Sequence, residues 1–198
     1  MSTRHFLPFA TLAVAFVAAC SPASDAPTLT SARAASARAA SAGHGDHGRA
    51  TAAPTPGQVQ AAALVARMTA RFADTLVSQA EGYTTQYPAG CAELPGTGGQ
   101  GFHFLNASLV DGHVNPLQPE LVMYEPQADG SYVLVGVDYV IPFTAWTAPR
   151  PPQLFGQEFG RNEPLGVWAL HIWTERANPR GLFAAWNPNV SCQYAQPL

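Results

Sequence analysis

Residues 55–198 predict an α+β domain in which one long N-terminal helix packs on a mainly antiparallel sheet of four to six strands. An apolar stripe at helical spacing comes first, and the apolar period then changes to two. Short Gly, Pro and Asp turns separate the β-rich runs that follow.

Thr55-Pro56-Gly57-Gln58 forms a capping box, with Thr55 as N-cap, Pro56 at the first helical position and Gln58 three residues on. Ala61, Val65, Met68, Phe72 and Leu76 then place an apolar stripe on a helix that ends near Gly82. Arg67, Arg71 and Asp74 fall off the stripe, as expected of a scaffold helix that covers one face of a sheet.

Gly101 to Asn106 is a short strand candidate. Glu120 to Glu125 and Ser131 to Ile141 are two more, joined by a turn that carries Asp129-Gly130. Val133, Val135, Val137 and Tyr139 alternate with Tyr132, Leu134 and Asp138, so one face of that strand is expected to be buried. Gly166 to Glu175 sets Trp168, Leu170 and Ile172 against Val167, Ala169, His171 and Trp173. Asn178-Pro179-Arg180-Gly181 is a turn that would return Leu182 to Trp186 as a partner strand. The Pro-rich connection from Pro142 to Pro164 is long enough to be read as a lid or partner-binding segment.

The chain has 198 residues, no lysine, and a formal charge of −3, a balance that does not suit a nucleic-acid binder. Residues 21–57 are rich in Ser, Ala, Pro, Thr and Gly, and Ser31-Ala32-Arg33-Ala34-Ala35 is repeated at once as residues 36–40. Such a segment buries too little apolar surface to offset chain entropy, so residues 20–54 read as a disordered tether. Within it, His44, Asp46 and His47 would either catch a divalent metal loosely or remain a solvated linker.

Ahead of the tether, Arg4 precedes an uncharged, mostly apolar stretch from Phe6 to Ala19, which is too short to span a bilayer. The stretch ends in Val17-Ala18-Ala19-Cys20. This arrangement resembles a bacterial lipoprotein precursor with its lipobox. The resemblance implies a signal peptide over residues 1–19, removed in export, and a diacylglycerol carried on Cys20, with palmitate-class acyl chains anchoring the protein in the cell envelope. Which membrane it faces is left open. The folded region carries more acid than base, so membrane contact is expected through Cys20 and not through its surface.

Two further cysteines remain. In an exported chain Cys91 and Cys192 most simply form one disulfide, the alternatives being free thiols or a metal pair.

His103 and His171 lie in strand-like segments flanked by aromatic residues. If those strands share a sheet, the imidazoles would face a common pocket with Glu120 or Glu125, and with Asn106 or Tyr124. Two histidines and a carboxylate suit zinc or another borderline divalent ion with one position left for water. The other readings are hydrogen-bonded core histidines and acid/base catalysis. No GxSxG elbow, Walker loop or dinucleotide fingerprint is present. Gly96 to Gly101 is glycine-rich but precedes a strand, which argues against a phosphate cradle.

Gly101-x-His103-x-x-Asn106, Pro119-Glu120-Leu121 with Tyr124-Glu125, Leu170-His171-x-Trp173, and Asn178-Pro179-x-Gly181-x-Phe183 with Trp186-Asn187-Pro188 to Cys192 also form a pattern. It resembles an uncharacterised family of bacterial secreted domains. The likeness spans Glu81 to Cys192 and implies one structural unit, with no activity attached. Two functions therefore stand side by side. One is an envelope module that binds a metal, a small ligand or a protein; the other is a small hydrolase or isomerase using His103 or His171 with Glu120.

Overall fold

The computed structural model describes residues 53–196. The expected leader, Cys20 and the tether up to residue 52 lie outside them. Among the described residues, no helix is long and apolar enough to cross a membrane.

The architecture is α+β. Helix α1 (Pro56–Thr69) starts on the capping box: Gln58 N–H donates to Thr55 Oγ1 at 3.3 Å, and Thr55 N–H donates to Gln58 Oε1 at 2.9 Å. The expected single long helix is interrupted. A 3₁₀ turn follows at Ala70–Ala73, and Asp74 caps a second helix, α2 (Thr75–Ala80), by accepting the Leu76 N–H at 2.9 Å. The break also re-aims the apolar stripe. Ala62, Val65, Thr69 and Phe72 are buried, whereas Met68 and Leu76 from the expected stripe are 41% and 72% exposed. Thr69 tolerates burial because its hydroxyl donates to the Val65 carbonyl at 2.9 Å.

The main sheet holds β1 (Thr85–Leu94), β2 (Gly98–Leu105), β3 (Leu121–Pro126), β4 (Tyr132–Pro142), β7 (Gly160–Asn162) and β8 (Val167–Ile172). Its order is β1-β2-β3-β4-β8-β7, and every neighbouring pair is antiparallel. Between β4 and β7, the connection read as a lid or partner-binding segment has structure of its own. It carries a small hairpin of β5 (Gln153–Leu154) and β6 (Gln157–Glu158), and it buries Leu154 and Phe159 in the helix-side core. Gln58 of α1 fastens it further by donating to the Phe155 carbonyl at 3.2 Å.

Strand β4 departs from the simple alternation. Met123 pairs with Gly136 and Tyr124 with Leu134, which leaves Val135 as an extra residue in a bulge. The bulge shifts the phase of the strand. Leu134, Val137, Tyr139 and Ile141 pack toward the helices, while Val135, Asp138 and Val140 face the other way. Both faces of β4 are buried over Leu134 to Ile141, and its start reaches solvent, with Val133 41% exposed.

The segment Leu182 to Trp186 forms no strand. It runs as turns, with Trp173 N–H donating to the Leu182 carbonyl and an isolated bridge joining Gly99 to Asn187. This carboxyl-terminal strap lies directly on the glycine run of β2. A Cβ at Gly98 would stand 2.3 Å from the Asn187 carbonyl oxygen, and one at Gly101 (φ +80°) 2.2 Å from that of Tyr124. The glycines are therefore required by close backbone approach. Cys91 and Cys192 form a disulfide across a sequence separation of 101, which pins the strap to β1. Glu93 and Glu125 hold it as well, accepting the N–H groups of Cys192 and Ser191 at 3.1 and 2.9 Å.

Candidate metal centre

His103 lies on β2 opposite Met123, and His171 lies on β8 opposite Asp138 of β4. Three strand spacings separate β2 from β8, roughly 14 Å in a flat sheet. The two Nε2 atoms nevertheless lie 3.4 Å apart. Imidazoles reaching toward each other span part of that gap, and concave curling of the sheet closes the rest. Gly136, between the Met123 and Ile172 rows, keeps the floor of the trough low: a Cβ there would stand 2.9 Å from Met123 Cε and 2.5 Å from the Ile172 oxygen.

Asp138 completes the group. Its Oδ2 lies 3.5 Å from His171 Nε2, and one ligand atom from each of His103, Asp138 and His171 falls within 4.8 Å of the others. All three side chains are shut away from solvent, the residues being 1%, 5% and 1% exposed. Leu121, Val140, Val167 and Ala169 form an apolar patch on one side, and Met123, Val135, Trp173 and Val190 form another. The Trp173 ring stacks at 6.2 Å from that of His171. A cavity of about 10 Å³ adjoins the group, with room for about one water molecule.

Burial raises the Asp138 pKa well above the usual carboxylate range. The Glu120 charge adds to the rise, and backbone N–H groups of Leu170 and Tyr139 oppose it. Glu120 itself, 3% exposed, is pushed up to about 8, again chiefly by burial, although its Oε2 accepts the Val140 N–H at 3.0 Å. It lies in electrostatic reach of Asp138 but outside the three-residue group.

The other residues singled out from the sequence are placed elsewhere. Glu125 pairs with Arg176 at 2.5 Å and receives the Ser191 N–H, so both of its oxygens are engaged at the strap. Asn106 donates to the Glu81 carbonyl at 2.8 Å and accepts from Ser108, fixing the turn after β2. Tyr124 points to the opposite face of the sheet, where its hydroxyl donates to the Phe72 carbonyl at 2.7 Å. The structure thus brings together His103 and His171, leaves Glu120 nearby, and adds Asp138. In the sequence, Asp138 sits in a β-rich run of Val, Tyr and Ile. An isolated carboxylate in such a run was its one available signal.

Compared with protein-family models, curated proteins and solved structures, the chain matches none.

Proposed function

We propose that this chain is an envelope protein, held to a membrane through lipid on Cys20, whose folded part binds one divalent metal ion of the zinc class through His103, Asp138 and His171. The spacing of the ligand atoms carries this reading. Zinc bonds of about 2.0–2.1 Å to imidazole nitrogen and carboxylate oxygen, arranged tetrahedrally, separate neighbouring ligand atoms by about 3.3–3.4 Å. The His103–His171 and His171–Asp138 edges of the triangle are 3.4 and 3.5 Å.

The ligand chemistry supports the same choice. Imidazole suits zinc, copper and nickel, and one carboxylate with two imidazoles gives a borderline donor set. A buried ion would also neutralise the carboxylate that is otherwise costly to ionise there. Binding is favoured over turnover of an organic substrate because the adjoining cavity has room for about one water molecule.

The test is elemental analysis of the full chain purified in detergent. One equivalent of metal is expected, and it should be lost in His103→Ala and His171→Ala variants that keep the wild-type circular dichroism. Well-folded wild-type protein that takes up no zinc, copper, nickel or cobalt when these are offered would refute the metal reading. The anchor is tested separately. Labelled fatty acid should be incorporated by the wild type and not by Cys20→Ser.

A further inference from the structure

We propose that the ion in this site keeps one exchangeable coordination position, which accepts a water-sized ligand and opens to solvent between β1 and the turn that joins β7 to β8. This rests on the metal reading above and adds what the ion can meet there.

Three side chains supply three ligand atoms, and no fourth His, Cys, Asp or Glu belongs to the group among the described residues. A tetrahedral ion held by three protein ligands leaves one position for water or an exogenous ligand. The space for that ligand is present. The small cavity is lined by His103, Asp138 and His171 on one side, and by Tyr87, Pro88 and Leu165 on another. Its volume of about 10 Å³ sets the size limit at roughly one water.

The position of the mouth follows from the sheet order. Strands β1 and β7 are the two edges of the main sheet and share no ladder. Curling brings them to opposite sides of the trough, where the Tyr87 hydroxyl of β1 donates to the Leu165 carbonyl of the β7–β8 turn at 3.4 Å. That is long for a hydrogen bond from a hydroxyl. Tyr87, Pro88 and Leu165 are all half-buried, whereas the ligand residues and most of the inner strands β3 and β4 are buried. The seam is therefore the thinnest wall between the ion and solvent.

The experiment loads the full chain, in detergent, with copper(II) and counts its ligands by pulsed electron paramagnetic resonance. Two imidazole nitrogens, together with deuteron modulation from directly bound water after transfer to D₂O, are expected. Added imidazole, larger than the cavity, should leave the wild type at two nitrogens. In Leu165→Ala, which widens the mouth, imidazole should bind and raise the count to three; Tyr87→Ala serves if Leu165→Ala does not hold copper.

Failure of the wild type to take up copper, zinc, nickel or cobalt, or a copper signal without two imidazoles, would defeat the metal reading itself, and uptake of one of the others but not copper would overturn the open position. Two imidazoles with no bound deuterons would leave the metal reading intact and overturn the open position. Imidazole binding to the wild type would overturn the size limit, and its exclusion from the widened variants would overturn the placement of the mouth.

Discussion

Asp138 Oδ2 and His171 Nε2 lie 3.5 Å apart on paired residues of neighbouring strands, so the register of β4 with β8 fixes their separation. Replacing Asp138 by Asn preserves shape but removes the anionic ligand. Affinity for zinc, measured by competition with a chromophoric chelator, should fall by more than about 100-fold. Unchanged affinity would exclude Asp138 as a ligand.

Glu120 gives the metal-free protein a pH dependence of definite sign. Its pKa rises from 4.5 in the unfolded chain to about 8 in the folded one. Below pH 4.5 both states hold the proton; between pH 4.5 and 8 the unfolded state releases it first, and stability falls as pH rises. The loss through this group is on the order of 4 kcal/mol by linkage. Glu120→Gln keeps an oxygen for the Val140 N–H, so it should raise the melting temperature at pH 8 and change it little at pH 4. Equal shifts at both values would contradict the assignment.

Removing the disulfide should cost about 4–5 kcal/mol, because it closes a loop across a separation of 101 residues. Denaturant unfolding of Cys91→Ala with Cys192→Ala checks this. The end of the carboxyl-terminal strap around Ser191 and Cys192 should be the first segment to lose amide protection in the double variant, since its anchors would then be the carboxylates of Glu93 and Glu125.

Gly101→Ala should destabilise the protein by at least about 2 kcal/mol, from a left-handed backbone combined with a Cβ set 2.2 Å from the Tyr124 oxygen. Gly101 lies two residues before His103, so metal affinity should fall along with stability. Tyr124→Phe is the contrasting case. It loses the buried bond to Phe72, worth about 1 kcal/mol, and should leave metal binding unchanged because the hydroxyl lies on the other face of the sheet.

Local signals in the sequence were the legible ones. The Thr55 capping box and the alternation of β8 depend on residues a few positions apart, and both appear in the structure with the faces expected of them. Asp138 was hidden because alternation along β4 announces one buried face, whereas the face opposite Val137 and Tyr139 is buried as well by side chains of strands distant in sequence. Strand β1 was missed because Pro88, Gly90 and few β-branched residues obscure a run that pairs through a bulged register. The helix stripe drifted for a related reason. Asp74, read as a residue off the stripe, is the cap of a new helix.

The antiparallel register of β2, β3, β4 and β8 has a consequence for how such an ion would be acquired. The three donor side chains belong to strands that meet only when the sheet has closed, so an extended chain passing through a translocation pore offers no preassembled chelate. If the chain is exported as proposed, metal selection takes place on the far side of the membrane, from whatever ions that compartment supplies at the moment the strands align.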